Sequence, residues 1–469
     1  MTVATLRVVG AALSMVLFAA PAQAAAIDGA ALTLLWAIPF VGILLSIALC
    51  PLLVPNIWHH HYGKIAALWA LAFLIPFAIY DGIGSAAHVV LEVALHEYIP
   101  FTILLLSLFT IAGGVRIVGN LHGSPSLNTG ILAVGTVLAS WMGTTGAAML
   151  LIRPLIRAND NRRTSTHVVV FFIFLVANIG GALTPLGDPP LFLGFLKGVR
   201  FFWTMEAMFP PTLLVSMLLL ALFYVIDRYF YVKEGVTRDP TPDTSIRVEG
   251  GVNIFLLAGV VGAVLMSGSW KPDYAFSVAG IEVLPQNLLR DAILLGLAGL
   301  SLLLTRRETR SGNGFSWEPM LEVGKLFAGI FVTIVPVIAI LRAGPDGSLR
   351  EIIALATGPD GAPRDEMYFW LTGMLSGFLD NAPTYLVFFN MAGGDAAALM
   401  GPLASTLLAI SMGAVYMGAL TYIGNAPNFM VKAIAEQSGV RMPSFFGYMA
   451  WSVPILLPVF ALVTWLWLL

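Results

Sequence analysis

The chain has 469 residues, of which 58% are hydrophobic and only 11% are charged. Ordinary soluble domains carry about 25% charged residues, so this composition excludes a soluble enzyme and predicts a protein embedded in a lipid bilayer. With a net charge of -2 and a single cysteine, Cys50, a polybasic nucleic-acid surface, an intrachain disulfide and a cysteine metal cluster are excluded as well.

The first 24 residues have the order of a secretory signal peptide. Arg7 precedes an apolar stretch, 8–19, which is followed by the small residues Ala22-Gln23-Ala24. We expect cleavage after Ala24, which places the mature N-terminus in the periplasm of a bacterial inner-membrane protein. An uncleaved extra helix is the alternative.

Apolar runs long enough to cross about 30 Å of hydrocarbon recur along the rest of the chain. They predict ten membrane spans, at 29–53, 65–81, 98–118, 167–195, 201–227, 252–268, 288–305, 320–342, 396–431 and 443–468. Two further segments, 127–152 and 367–391, are interrupted by glycine, proline and polar residues near their middles. Such interruptions are typical of re-entrant hairpins whose backbone is covered by protein.

Basic residues between the spans predict the orientation. If both interrupted segments are hairpins, most of these residues fall on one side of the membrane: Arg153, Arg157, Arg162, Arg163, Arg228, Lys233, Arg238, Arg247, Arg306, Arg307 and Arg310. The positive-inside rule makes this side cytoplasmic. The charged stretch 229–251 is then a cytoplasmic linker between a first transmembrane repeat, 25–228, and a second, 252–469.

An internal repeat relates the two halves. Segment 181–192, GALTPLGDPPLF, aligns without gaps with 418–429, GALTYIGNAPNF, with seven identities in twelve positions. The offset, 418 minus 181 or 237 residues, also superposes 140–147 on 377–384. Because each half has five spans, the second copy is inserted upside down. The predicted fold is therefore an all-α polytopic membrane protein of two inverted repeats of five transmembrane helices, each with a re-entrant hairpin and a broken helix.

Matched breaks of this kind mark a transport site near the bilayer midplane, because unwound backbone and half-helix ends there can bind ions. A pair of proline kinks that serve only packing is the alternative.

Two motifs carry a family resemblance. Segment 178–190, NIGGALTPLGDPP, and Asp380-Asn381-Ala382-Pro383 resemble elements of the ion transporter superfamily, which includes NhaD-type sodium/proton antiporters and citrate permeases. The resemblance implies a homodimer. The Ser-Asn-Thr tips of the dicarboxylate branch are replaced here by Gly143-Thr144-Thr145 and Asp380-Asn381-Ala382, so this chain is similar to an NhaD-type antiporter or to the citrate-permease branch.

Asp188 and Asp380 are the candidate ion-binding carboxylates. An ionised side chain near the bilayer midplane costs at least about 2.5 kcal/mol unless it is paired, ligated or protonated. Oxygen donors surround both in sequence, with Asn178, Thr144, Thr145 and Thr184 assigned to Asp188, and Asn381, Thr384, Thr421, Asn425 and Asn428 assigned to Asp380. Oxygen-only ligation suits sodium or a proton.

The repeat gives each half one carboxylate, because Asn425 stands at the position of Asp188, and Gly143 at that of Asp380. One carboxylate neutralises one monovalent cation, and burial favours its protonated form, so a proton can compete with sodium. The alternative is that each aspartate only caps a half-helix.

Other polar groups have weaker readings. Glu322 and Lys325, three residues apart, predict an internal ion pair, with proton transfer as the alternative. The run 59–61, three histidines, is expected in a short loop as an interfacial anchor, with a metal site or pH sensor as the alternative. His88, Glu92 and His96 have the spacing of a solvated helix face or of a divalent-cation site.

The leading functional prediction is sodium/proton antiport through Asp188 and Asp380, with Na⁺ and H⁺ as transported ions and no cofactor. Cation-coupled transport of citrate or a related anion is the second hypothesis. A channel or a scaffold comes third, and an intramembrane aspartyl protease is disfavoured because the aspartates lie in ion-site motifs. The expected partners are the lipid bilayer, inorganic cations and a citrate-like anion, not nucleic acid.

Overall fold

A computed structural model describes residues 27–119, 121–235, 245–359 and 361–469. The predicted signal peptide and residues 236–244 of the predicted linker lie outside the described residues. Within them, nine helices are long and apolar enough to cross a membrane: Leu34–Leu53, Pro55–Tyr80, Ile83–Ala112, Thr166–Leu183, Trp203–Glu234, Val252–Ser269, Pro285–Leu304, Glu318–Arg342 and Phe445–Trp467. The protein is therefore an all-α, multi-pass membrane protein.

The structure has one such helix fewer than the ten spans predicted. The difference lies in 396–431, which is divided into Ala396–Met400, Ala404–Met417 and Ala426–Gln437. The central piece with its 3₁₀ turn, Ala404–Leu420, is an apolar helix one residue shorter than the equivalent Thr166–Leu183 of the first half. Glycine and threonine in the central break interrupt the helical hydrogen bonds, so the apolar run does not continue as one helix.

Four helices precede the first hairpin: α1 (Ile38–Leu53), α2 (Pro55–Tyr80), α3 (Ile83–Val93) and α4 (Ile99–Ala112). A π-helical turn joins α3 to α4. Pro55 occupies the first turn of α2, where its fixed φ angle favours a helix and its missing N–H is not needed. The histidines at 59–61 therefore lie on α2 and not in a loop, so that prediction is wrong.

Hairpin 1 and the first broken helix follow. Hairpin 1 consists of α5 (Pro125–Met142) and α6 (Thr144–Ala158). Gly143, between them, has a φ of +81°, a left-handed conformation that favours a residue without a β-carbon. The first broken helix consists of α7 (Thr166–Leu175), a 3₁₀ turn and α8 (Pro189–Leu196), with an irregular loop from 184 to 188 between the turn and α8.

The remaining elements complete the chain. The long helix α9 (Trp203–Glu234) ends the first half. The middle of the chain then contains α10 (Val252–Ser269), α11 (Pro285–Leu304), α12 (Arg307–Gly312), α13 (Glu318–Thr333), α14 (Val335–Arg342) and α15 (Arg350–Leu355). Two short antiparallel pairs also form, β1 (Arg116–Val118) with β2 (Arg247–Glu249) and β3 (Phe276–Val278) with β4 (Ile281–Val283).

The last part of the chain repeats the hairpin and the broken helix. Hairpin 2 consists of α16 (Asp365–Phe378) and α17 (Asn381–Met391), and the second broken helix consists of α19 (Ala404–Met417), a 3₁₀ turn and α20 (Ala426–Gln437). The short α18 (Ala396–Met400) lies between them, and α21 (Phe445–Trp467) ends the chain. Helices α6 and α17 begin 381 minus 144, or 237, residues apart, and α8 and α20 begin 426 minus 189, or 237, residues apart.

The two broken helices form the centre of the molecule. Every residue of α7 from His167 to Leu175 is buried, and α19 is buried along nearly its whole length. Hairpin 2 packs on α19 through α16, while α2 packs on α1 and α13, and α4 packs on α11. The outer faces of α9, α10, α11 and α21 expose large apolar side chains, as expected of surfaces that contact lipid.

Candidate functional site

In each half, a threonine hydroxyl forms a hydrogen bond between the broken helix and the hairpin. The Thr184 hydroxyl donates a hydrogen bond to the backbone carbonyl of Ser140, and Thr421 Oγ1 donates to the carbonyl of Gly377 at 2.5 Å. Both hydroxyls also accept from the backbone N–H two residues further on, at 3.1 Å and 3.2 Å. The two loops after the 3₁₀ turns are therefore held by the same bonds at equivalent positions.

Asp188 ends the first of these loops and is 1% exposed. Its Oδ1 accepts hydrogen bonds from Asn425 Nδ2 at 3.0 Å and from Thr144 Oγ1 at 3.2 Å. Its Oδ2 accepts from Asn381 Nδ2 at 2.6 Å. One carboxylate thus receives three neutral donors: one from hairpin 1, one from hairpin 2 and one from the second broken helix.

These contacts follow the repeat. Asp188 and Asn425 are 237 residues apart, so the two equivalent residues of the halves bond to each other. Thr144 and Asn381 are also separated by 381 minus 144, or 237, positions, and both bond to the same carboxylate. The two halves therefore meet at Asp188.

A chain of amides extends this junction between the broken helices. Asn425 Nδ2 also donates to the carbonyl of Ala177 at 3.1 Å. Asn178 Nδ2 donates to Asn428 Oδ1 at 2.7 Å, and Asn428 Nδ2 donates to two backbone carbonyls of its own broken helix at 2.9 Å each. Asn178 Oδ1 is buried and accepts no hydrogen bond from the described residues. This oxygen is a free acceptor beside the carboxylate site.

Asp380 has a different environment. It is half-buried and caps α17, accepting a hydrogen bond from the Ala382 N–H at 3.0 Å. The Thr384 hydroxyl donates to its backbone carbonyl at 2.9 Å.

The sequence-based assignment of ligands to the two aspartates therefore differs from the structure. Asn381 and Asn425 were assigned to Asp380, but both donate to Asp188. Asn178, Thr184, Thr421 and Asn428 are buried at the junction without bonding either carboxylate directly. The reason is that the tip of hairpin 2 reaches across to the first half.

A cavity of about 90 Å³ opens beside Asp188. It is bounded by the tip of hairpin 1, including Thr145, and by side chains of α4, α13 and α20. Thr145 is half-buried and faces this space. The cavity gives the Asp188 side of the junction room for a small ligand.

Lys325 and His96, two of the other polar candidates, have partners elsewhere in the structure. Lys325 Nζ lies 5.0 Å from the centre of the Tyr62 ring, and the predicted pair with Glu322 is not among the ion pairs within the described ranges. His96 Nε2 lies 2.8 Å from the carbonyl of Glu282. In the part of the chain that the structure describes, no three His, Cys, Asp or Glu side chains could hold a metal ion.

A second buried charged network was missed. Asp227, on α9, is fully buried and contacts Arg162 Nη1 at 2.5 Å, His167 Nε2 at 2.8 Å and Asn128 Nδ2 at 2.9 Å. These contacts link α9 to the end of hairpin 1 that is remote from its tip and to the start of α7. The available signal was a carboxylate at the end of an apolar run, a position where an ionised group needs a partner.

Comparison with known proteins agrees with a transport role. Residues 29–468 match the model of a family described as "Putative citrate transport". An uncharacterized transporter of Mycobacterium tuberculosis is 28% identical over 324 residues, which cover 68% of this chain and 71% of that protein. An uncharacterized transporter of Synechocystis is 25% identical over 357 residues, 70% of this chain and 74% of that one. A 46 kDa membrane protein of Mycobacterium leprae is 24% identical over 365 residues, 74% and 78% of the respective chains.

The family description and the names of the first two relatives indicate a transporter. The family match extends from the start of the first described helices to the penultimate residue and includes both hairpins and both broken helices. The chain therefore belongs to this citrate-transport family.

Proposed function

We propose that the protein is a cation-coupled secondary transporter in which Asp188 binds the coupling cation, Na⁺ or H⁺, and a citrate-type carboxylate is the transported anion. The observation that carries the proposal is the convergence of three neutral donors from both halves on one buried carboxylate. No lysine, arginine or histidine within the described residues pairs with it.

The chemistry of this site favours a monovalent cation. A buried carboxylate is stable when it is protonated or when a cation neutralises it. Hydrogen bonds from Thr144, Asn381 and Asn425 hold its orientation without cancelling its charge. Because the donors come from both halves, binding of a cation there is coupled to the relative position of the halves.

Two features support an anionic substrate. The family description names citrate transport, and the helices α6, α17 and α20 all begin at the junction. The N-terminal ends of helices carry partial positive charge and exposed N–H groups, which favour a bound carboxylate. In this arrangement the cation neutralises Asp188 and the anion binds against the helix ends.

We also infer the membrane arrangement from the repeat. The equivalent Thr184 and Thr421 bonds support a duplicated unit, and the odd number of long apolar helices in the first half, five, makes the second copy inverted, with re-entrant hairpins. The basic loops support a cytoplasmic linker and a periplasmic mature N-terminus, and the family resemblance supports a homodimer in the inner membrane. Single cysteines at Thr145 and Leu379, with Cys50→Ser, should then react with membrane-impermeant thiol reagents from opposite sides. Labelling of both positions from the same side would contradict the inversion.

Sodium/proton exchange is the second candidate function. The cavity beside Asp188, about 90 Å³, has the volume of only about three water molecules, which suits a small cation better than a tricarboxylate. In this alternative, Na⁺ and H⁺ would compete for Asp188 without an anion.

Reconstitution of the purified protein into liposomes distinguishes the two functions. We expect uptake of labelled citrate when an inward Na⁺ or H⁺ gradient is imposed, and none without a gradient. Sodium-driven movement of protons, measured with an internal pH dye in the absence of citrate, would favour exchange instead. Liposomes that contain Asp188→Asn protein are the matched control for both measurements.

A further inference from the structure

Three arginines lie together at the end of hairpin 1 remote from its tip. Arg153 and Arg157 are one turn apart on α6, and Arg116 begins β1. Arg157 Nη2 donates a hydrogen bond to the carbonyl of Ile117 at 2.9 Å, so it lies beside Arg116, and its charge is repelled by both Arg116 and Arg153. Three like charges are thus concentrated in one place.

A glycine turn between α12 and α13 holds two of these guanidinium groups. Arg116 lies against Gly312, and Arg153 lies against Gly314, whose φ is +65°. A methyl group at either glycine would overlap the guanidinium beside it. Because the two glycines are only two residues apart, Arg116 and Arg153 approach the same turn.

The donors of these arginines are incompletely used. Arg116 Nε, Arg153 Nη1 and Arg157 Nε are buried and have no hydrogen-bond partner among the residues that the structure describes. Buried donors of this kind normally have a partner, so these N–H groups can still donate to an acceptor. Glu249 lies 3.4 Å from Arg116 and is 43% exposed, and such an exposed pair contributes little.

Arg310 shows what a structural arginine looks like in the same region. Its Nη1 donates to the carbonyl of Thr110 at 2.6 Å, and its Nη2 donates to the carbonyl of Ser301 at 2.9 Å. Both ends of its fork are occupied by protein, and only its Nε lacks a partner among the described residues. In Arg153, by contrast, Nη1 at the end of the fork lacks a partner among the described residues.

We propose that Arg116, Arg153 and Arg157 bind a carboxylate of the transported anion at a second position on its route past Asp188. A guanidinium fork binds a carboxylate through two parallel hydrogen bonds, and three arginines suit an anion with more than one carboxylate. This inference rests on the anionic substrate of the proposed function. It adds a second binding position, on the same helix as the tip residue Thr144.

The position of the arginines fits a route to the site. Arg153 follows Thr144 by nine residues, or about 14 Å along a helix at 1.5 Å per residue. Phe109, Met149 and Met320 form a small apolar cluster of their own, and Phe109 and Met320 also line the cavity beside Asp188. Met149 lies on α6 between Thr144 and Arg153, so this cluster borders the proposed route.

The test is binding of citrate to the purified full-length protein in nanodiscs of phosphatidylcholine, measured by titration calorimetry. We expect Arg153→Gln and Arg157→Gln each to weaken the affinity at least about tenfold, the effect of one lost charge-assisted contact. Arg307→Gln is the matched control, because Arg307 is exposed and its substitution changes the net charge equally.

Several results would overturn the proposal. These are no citrate binding by the wild type, equal weakening by Arg307→Gln, or loss of binding in Asp188→Asn but not in Arg153→Gln. Loss of citrate binding in nanodiscs containing phosphatidylglycerol would identify a lipid headgroup as the ligand and would likewise overturn it. If liposomes show sodium/proton exchange without citrate uptake while Arg153→Gln still loses citrate binding, the proposed substrate is wrong and the anion site remains.

Discussion

The loop from 184 to 188 and the loop from 421 to 425 are held by equivalent hydrogen bonds, but their last side chains have opposite hydrogen-bonding roles. Both follow a 3₁₀ turn, and both are tied to a hairpin carbonyl by a threonine hydroxyl. The first loop ends in an acceptor, Asp188, and the second ends in a donor, Asn425, which bonds to it at 3.0 Å. Two carboxylates at this distance would repel each other, so the duplicated backbone supports one charged site and not two.

The comparison predicts that charge at position 188 is indispensable. Asp188→Asn should lower coupled transport about 100-fold or more, the effect of about 2.7 kcal/mol, because the amide has no negative charge to neutralise a cation and cannot accept from all three donors. Transport in liposomes measures the loss, and membrane yield with the melting temperature controls for folding. Wild-type transport by a folded variant would refute the role of Asp188.

An exchange of the residues at positions 188 and 425 tests whether the two halves are interchangeable. In the double variant Asp188→Asn with Asn425→Asp, the carboxylate moves to the equivalent position of the second half while the hydrogen bond between the two residues is kept. We expect transport to recover to within about tenfold of the wild type, as coupled neighbours are not additive. Asn425→Asp alone is the control and should be strongly impaired, since it places two carboxylates in contact. A double variant as inactive as Asp188→Asn would mean that the halves are not interchangeable.

Substitution of Asp380 tests whether the two aspartates differ in importance. Asp380→Asn should be milder than Asp188→Asn, with transport reduced about tenfold or less, because asparagine also caps a helix well and Asp380 has no donors from the other half among the described residues. The ratio of the two variants' initial rates is the measurement. Equal losses would restore the idea of two carboxylate sites, one in each half.

The threonine bonds should have the smallest effect, and an equal one in both halves. Thr184→Val and Thr421→Val each remove two hydrogen bonds and leave a hairpin carbonyl and a backbone N–H unpaired, and each unpaired buried group destabilises by about 1–3 kcal/mol. Differential scanning fluorimetry should give similar decreases in melting temperature. A large decrease in only one variant would contradict the equivalence of the two loops.

Much of the fold could be predicted from local pattern, and the contacts of the site could not. Glycine, proline and polar residues interrupting apolar runs indicated both hairpins and both breaks, because each reflects backbone chemistry within a few residues. The bonds of Asp188 to Asn381 and Asn425 join positions 193 and 237 residues apart. The local sequence pattern does not predict which side chains form hydrogen bonds across such a separation.

Two local errors have similar origins. The histidines at 59–61 were placed in a loop because a polar run interrupts the apolar pattern, whereas Pro55 starts a helix that continues through them. Lys325 and Glu322 have the spacing of an ion pair, but the Lys325 ammonium contacts the Tyr62 ring instead. Spacing shows which side chains share a helix face, and packing decides which of them meet.

The complete burial of α7 constrains how the nascent chain matures. Asp227, the partner of His167, is synthesised 60 residues later, and Asn428, the partner of Asn178, 250 residues later. When α7 and the residues just after it leave the ribosome and enter the bilayer, the His167 imidazole and the Asn178 amide have no partners from those later helices. The insertion machinery or a loosely packed intermediate must therefore hold α7 until the second half has been synthesised. A chain that stops at the linker should be recognised as unfinished and degraded.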